Sequence, residues 1–96
     1  MKSMFDDNTK ALFEAILSLS SVEECEMFFQ DICTIKEIQD ISQRYEVARM
    51  LDEGKFYQEI ARETGASTAT ISRVNKAIQY GAGGYLLALE RRKQDK

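Results

Sequence analysis

Residues 56–75 have the sequence FYQEIARETGASTATISRVN, which predicts two short helices joined by a tight turn. Ala61 is small enough to let the helices cross closely, and Gly65 can adopt the positive φ that such a turn requires. Ser67 follows as an N-cap for the second helix. Three apolar residues, Ile60, Ile71 and Val74, are predicted to pack in the seam between the helices. Residue types at these offsets are typical of a helix-turn-helix.

The outward face of the second predicted helix carries side chains suited to the major groove of DNA. They are small, polar or basic: Ser67, Thr68, Ala69, Ser72, Arg73 and Lys76. Thr68 and Ala69 can contact thymine methyl groups, and Ser72 can reach phosphates or bases. Lys76 is placed for phosphate, and the first helix adds Tyr57 and Gln58 near the DNA backbone. The alternative is a structural helical corner whose polar face is only solvated.

The rest of the chain is also predicted to be helical. A first segment, 7–19, gathers its apolar residues on one side and is followed by a doubled capping pattern, Ser20 and Ser21 with Glu23 and Glu24. Thr34 and Glu37 form a second capping box, which opens the longest helix. One stripe of that helix is predicted to face a core: Ile35, Ile38, Ile41, Tyr45, Ala48 and Leu51. Gly54 ends it.

Composition limits the function. The 96 residues include no His, so the commonest general base and the usual nitrogen ligand of zinc are missing, and no enzyme activity is expected. Cys25 and Cys33 would lie about 12 Å apart along a helix, too far for a disulfide. No apolar run reaches the roughly 18 residues of a membrane span, and no signal peptide opens the chain. We therefore expect a cytoplasmic, nucleoid-associated protein without metal or membrane contacts.

The charge is distributed unevenly along the chain. Residues 1–53 carry five basic and twelve acidic side chains, whereas 54–80 and 81–96 each carry two more basic than acidic ones. An anionic partner is therefore expected to meet the back half. Large apolar side chains are concentrated in the front half, and a chain this short buries only about 60 to 65% of its unfolded surface. Part of the front half is thus expected to pack against a second copy.

One domain, 1–96, is therefore predicted. It comprises dimerisation helices (1–53), a helix-turn-helix (56–79) and a C-terminal helix (84–94). The basic residues 91–96 are either a solvated helix end or a source of further phosphate contacts.

The sequence resembles the Trp-repressor superfamily, and most closely its Trp-repressor-related YerC/YecD group. The motifs that carry the resemblance are TIKEI (34–38), SQRYEVARML (42–51), YQEIA (57–61), TGASTATISRVN (64–75) and YGAGGY (80–85). The resemblance implies an all-α, six-helix fold. It also implies an intertwined homodimer whose two reading helices lie about one DNA turn apart, on a roughly palindromic operator.

The resemblance also implies an effector pocket. Trp repressors hold tryptophan between two arginines, with two threonines nearby, and the matching residues are Arg44, Arg73, Thr34 and Thr70. Val74 replaces a glycine beside that pocket, and Ala77 replaces a serine that helps to hold the ligand's amino group. These departures disfavour tryptophan and leave two alternatives, a different small corepressor or no ligand. Arg44 can instead form an ion pair with an acidic neighbour such as Asp40.

The leading hypothesis is a dimeric, sequence-specific DNA-binding regulator that represses by occlusion. The alternative is a helical interaction module whose basic corner binds an acidic protein.

Overall fold

The computed structural model describes residues 3–95, which form six α-helices and no strand. The helices are α1 (Asp7–Leu17), α2 (Val22–Ile32), α3 (Ile35–Asp52), α4 (Tyr57–Thr64), α5 (Thr68–Tyr80) and α6 (Gly84–Gln94). The prediction of an all-α, six-helix fold is confirmed. The chain divides into two compact units after Ile38, so α1, α2 and the start of α3 belong to the first unit and the remainder to the second.

The capping residues that the sequence indicated begin the helices of the first unit. The Ser21 hydroxyl accepts a hydrogen bond from the Glu24 amide at 3.1 Å, and the Glu24 carboxylate accepts one from the Ser20 amide at 2.8 Å. This second bond lowers the pKa of Glu24, because it stabilises the ionised carboxylate. Thr34 and Glu37 bind each other's backbone amides reciprocally, as a capping box requires. The first helix ends at Leu17, two residues earlier than predicted.

The helices α1 and α2 leave much apolar surface accessible. No residue within Asp7–Leu17 or Val22–Ile32 is buried, and Leu17 is 83% exposed. Two edge-to-face aromatic pairs, Phe5–Phe13 and Phe28–Phe29, have ring centroids 5.4 and 5.7 Å apart. Other exposed apolar residues of this unit are Met4, Val22, Met27, Ile32 and Ile35.

The second unit has a compact apolar core built from α3, α4, α5, α6 and the turn before α5. Its buried members are Val47, Ala48, Met50, Ile60, Ala66, Ile71, Val74 and Leu89. The predicted α3 stripe is only partly correct. Ala48 is buried and Tyr45 and Leu51 pack against the core, but Ile35 and Ile41 are exposed. The buried face of α3 is confined to its C-terminal half, where Val47 and Met50 contribute without having been predicted.

Two glycines of the second unit are required for different physical reasons. Gly65 has φ of 74°, and a Cβ there would meet no other described atom within 4 Å. Gly81 has an ordinary φ of −84°, but a Cβ there would collide with the backbone carbonyl of Ala77.

We expect Gly65→Ala to lower the free energy of unfolding by about 1 to 2 kcal/mol, the cost of a left-handed conformation for an L-residue. Gly81→Ala should cost more, because the obstacle is backbone that cannot rotate away. Urea denaturation followed by circular dichroism measures both. Equal losses, or a larger loss for Gly65→Ala, would contradict this assignment.

Candidate nucleic-acid interface

The turn between α4 and α5 has the geometry that the sequence predicted. Gly65 adopts the left-handed conformation, and its amide donates to the Ala61 carbonyl at 2.9 Å, ending α4. Ser67 begins α5: its hydroxyl accepts from the Thr70 amide at 3.1 Å and also contacts the Thr70 hydroxyl. Each helix end that faces the turn therefore has one of its terminal backbone groups satisfied by a local bond.

Beneath the turn, the seam is apolar and closed to solvent. Ile60, Ile71 and Val74 are buried as predicted, and Ala61 packs against them. Ala66, within the turn, is also buried, although the sequence did not lead us to expect it. The sequence offered one indication of this burial: Ala66 is apolar and stands in the turn between a glycine and a serine. This burial fixes α4 against α5 and leaves the opposite face of α5 to solvent.

A second set of hydrogen bonds at the turn was not predicted. The Thr64 hydroxyl donates to the Ile60 carbonyl at 2.7 Å and accepts from the Ala66 amide at 3.1 Å. The Gln43 side-chain amide, on α3, donates to the Thr64 carbonyl at 3.1 Å. Spacing alone could not indicate the contact from Gln43, because it joins residues 21 positions apart.

The residues predicted to contact DNA are mostly accessible. On and before α5, the exposed ones are Ser67, Thr68, Ala69, Arg73 and Lys76, while Ser72 is half-buried. On α4, Gln58 is exposed, whereas Tyr57 is half-buried and packs against the core. The accessible set thus lies on one helix and its N-cap, with Gln58 added from α4.

The electrostatics of the second unit favour an anion near α5. The first turn of α5 contains no acidic residue, so the positive end of its helix dipole is not offset locally. Arg73 and Lys76 add positive charge further along the helix. In α6 the basic last turn is partly engaged, since the Lys93 ammonium lies 2.7 Å from the Asp52 carboxylate. That hydrogen bond raises the pKa of Lys93.

The residues that the resemblance assigned to an effector pocket lie in different settings. Arg44 and Arg73 are exposed, and Thr70 is half-buried and bonded to Ser67. Thr34 belongs to the first unit and the other three belong to the second.

The two residues that differ from those of the Trp-repressor pocket also lie in different environments. Val74 is 2% exposed and belongs to the apolar core. Ala77 is exposed and lines an open apolar groove of about 400 Å³ with Gly81, Ala82, Gly84, Tyr85 and Ala88.

Other kinds of site find little support in the described part of the chain. Cys25 and Cys33 are free, half-buried thiols. Residues 3–95 contain no group of three or more His, Cys, Asp or Glu side chains placed to hold a metal ion. None of the described helices is both long and apolar enough to cross a membrane.

Six helices, two of them forming a helix-turn-helix with an exposed outer face, define an all-α protein of the helix-turn-helix class. The family model described as Trp repressor protein matches residues 7–93. The chain is 59% identical over 83 residues to the uncharacterised protein YerC of Bacillus subtilis (strain 168), and the match covers 86% of this chain and 80% of YerC. The chain belongs to the Trp repressor family, as its motifs predicted.

Solved structures agree with this assignment. A TrpR-like protein from Eubacterium eligens ATCC 27750 superposes with a TM-score of 0.89 at 52% identity, covering 92% of this chain and 91% of that one. A Staphylococcus aureus protein superposes with a TM-score of 0.90 at 47% identity, covering 94% of this chain and 90% of that one. The six-helix arrangement is thus a Trp-repressor-like fold.

The cap at Ser67 gives a direct test of how α5 begins. We expect Ser67→Ala to lower the free energy of unfolding by about 1 kcal/mol, because the Thr70 amide loses its acceptor. Ser67→Asp should stay close to wild type, since a carboxylate also caps. Thr68→Ala is the matched control, an exposed neighbour at the first helical position. Chemical denaturation measures all three, and a Thr68→Ala loss as large as that of Ser67→Ala would refute the assignment.

Proposed function

We propose that the protein is a sequence-specific, DNA-binding transcriptional regulator that acts as a repressor. The observation that carries this proposal is the helix-turn-helix, whose turn is closed by hydrogen bonds and whose second helix is anchored on one side and exposed on the other. Membership of the Trp repressor family supports it. Such a protein would act on the chromosome, in the cytoplasm.

The chemistry of the exposed face fits a DNA duplex. Thr68 and Ala69 are short, so the start of α5 can approach base edges closely and meet thymine methyl groups. Ser72 can donate or accept at a base or phosphate. Arg73 and Lys76 supply positive charge for phosphates, and Gln58 adds an amide from α4. Few direct base contacts would suffice, because ordered water molecules that bridge side chains and bases can also carry specificity.

A second copy is part of the proposal. The apolar residues of α1 and α2 remain accessible in the single chain, where Leu17, Val22 and Met27 are 83%, 71% and 67% exposed. Exposed apolar patches of this extent mark interaction surfaces. Two copies would present two α5 helices to a palindromic operator and would double the weak phosphate attraction of each. Binding of that kind can repress by blocking access to a promoter.

For the effector, we propose a small ligand other than tryptophan, held by Arg44, Thr70 and Arg73, the three residues of the predicted set that belong to the second unit. Both arginines are exposed and able to bind a carboxylate or phosphate. The absence of a hydroxyl at Ala77 argues against tryptophan, because its ammonium would lose a hydrogen-bond partner.

The competing function is a helical interaction module that binds an acidic protein through the same corner. The charge of the second unit favours this alternative: its excess of positive charge is small and would suit the surface of an acidic protein as well. The two functions differ at Thr68 and Ser72. Replacing both should abolish discrimination between DNA sequences under the first, and should leave protein binding intact under the second.

The proposed DNA binding is tested by selecting fragments of bacterial chromosomal DNA with the purified full chain near physiological salt. We expect enrichment of a site with two-fold symmetry. Arg73→Ala should weaken binding, because a positive charge for phosphate is lost, and should lower the slope of log affinity against log salt by about 1. Asn8→Ala, an exposed polar residue of α1 about half a turn round the helix axis from Leu17, is the control and should bind as wild type does.

The same selection is run with and without added tryptophan, and the enriched site should be unchanged. If neither condition enriches a site above the Arg73→Ala background, the DNA-binding proposal is wrong. Capture of an acidic protein by the wild-type corner would then favour the interaction module. Dependence of the enrichment on tryptophan would overturn the proposal about the effector.

The proposed second copy predicts that the chain sediments at twice its 11.0 kDa mass. Leu17→Glu should shift it towards a single copy, because a charge would be placed in the apolar interface. Asn8→Glu places the same charge on α1 about half a turn round the helix axis and should leave the mass unchanged. Sedimentation equilibrium distinguishes these results. A wild-type chain that sediments as one copy would contradict the proposal.

A further inference from the structure

We propose that Gln43 is a positioning residue for DNA reading: it holds the turn of the helix-turn-helix against α3 and thereby sets where α5 begins. This inference rests on the proposed DNA-binding function. Its basis is the hydrogen bond of 3.1 Å from the Gln43 side-chain amide to the Thr64 carbonyl. Gln43 is half-buried, and its partner is the last residue of α4.

The Thr64 carbonyl is a group that a helix cannot satisfy by itself. The last four carbonyls of any α-helix lack an intrahelical donor. In α4 these are the carbonyls of residues 61–64; the Ala61 carbonyl receives the Gly65 amide, and the Thr64 hydroxyl adds a bond to the Ile60 carbonyl, one residue before that set. Gln43 supplies the donor for the Thr64 carbonyl from another helix. Of these three bonds, only this one connects the turn to α3.

A hydrogen bond from another helix matters here because α4 is short. It has eight residues, and helices of this length are marginal without tertiary support. The core fixes the middle of α4 through Ile60, but apolar packing is less directional than a hydrogen bond at the C-terminal end of the helix. Two residues beyond the Thr64 carbonyl lies Ala66, and Ser67 then caps α5. A shift of the turn therefore moves the N-terminal residues of α5 that face the bases.

The amide suits this position chemically. It is neutral and offers two donor hydrogens, so it can satisfy a carbonyl without placing a charge in a half-buried site. Methionine has a similar length and no strong donor, and lysine has a similar reach and keeps a donor. Substitution of Gln43 by methionine or lysine therefore separates the effect of the hydrogen bond from that of the packing.

The experiment compares the wild type with Gln43→Met, Gln43→Lys and a control, Gln39→Met, which lies one turn earlier on α3 and is exposed. The first measurement is the ratio of affinities for the selected DNA site and for a scrambled duplex. For Gln43→Met we expect this ratio to fall about 3- to 10-fold, the range that one net hydrogen bond allows. Gln43→Lys should retain most of the ratio, because lysine keeps a donor for the Thr64 carbonyl and its added charge strengthens binding to both duplexes alike. Gln39→Met should match the wild type.

The second measurement needs no DNA. Amide hydrogen exchange at Gly65 and Ala66 should become several-fold faster in Gln43→Met and should stay unchanged in Gln39→Met. Wild-type exchange at these two amides in Gln43→Met would overturn the inference. So would a fall in the affinity ratio that accompanies a loss of helical circular dichroism, because Gln43 would then serve folding alone.

The two measurements also separate this inference from the proposed function. If the wild-type chain enriches no DNA site, the DNA-binding proposal fails and with it the reading role of Gln43. The exchange rates would still decide whether Gln43 holds the turn. If the wild type selects a site and Gln43→Met discriminates as well as the wild type, only the inference about Gln43 is wrong.

Discussion

The close apolar contact between α4 and α5 is the constraint on which the second unit depends. Ile60 and Ile71 are fully buried there, and full burial of such a side chain contributes about 1.5 to 3 kcal/mol. Neither helix has enough residues to be stable alone, so the same contact that stabilises them also fixes the angle between them. Gly65 makes the contact geometrically accessible, because its left-handed conformation lets the chain turn immediately after α4.

Charge and apolar surface are separated along the chain. Acidic residues outnumber basic ones up to residue 53, and basic residues are in excess beyond it. The first unit also carries most of the accessible large apolar side chains. A protein with this division can approach a polyanion with one part while the other part is occupied by apolar association. The ion pair between Lys93 and Asp52 reduces the positive charge left to the end of α6.

Local chemistry made much of the fold predictable from sequence. Capping residues and the positive-φ glycine act within a few positions, so the roles of Ser21, Thr34, Gly65 and Ser67 could be identified from their immediate neighbours. The α3 stripe failed because steps of three residues fall short of a full helical turn, so the predicted series winds around the helix. Ile35 and Ala48 point about 140° apart, and the first is exposed whereas the second is buried.

The residues of the candidate site could likewise be predicted only in part. Exposure of Thr68, Ala69 and Arg73 followed from the periodicity of α5, which assigned Ile71 and Val74 to the opposite face. Gln43 could not be found by that reasoning, because its partner depends on how two helices far apart in sequence meet. Ala66 was missed for a related reason: a turn residue is buried only if another element covers it.

The core of the second unit is entirely apolar, and no polar or charged side chain among residues 3–95 is buried. Of the 13 residues in α5, only Ile71 and Val74 are buried. Folding therefore places few demands on the outer positions of this helix, since solvent-exposed substitutions usually change stability little. If α5 reads DNA as proposed, it is in that sense an exchangeable part. Its outer residues can then be replaced, in evolution or in the laboratory, to give the same scaffold a different recognition sequence.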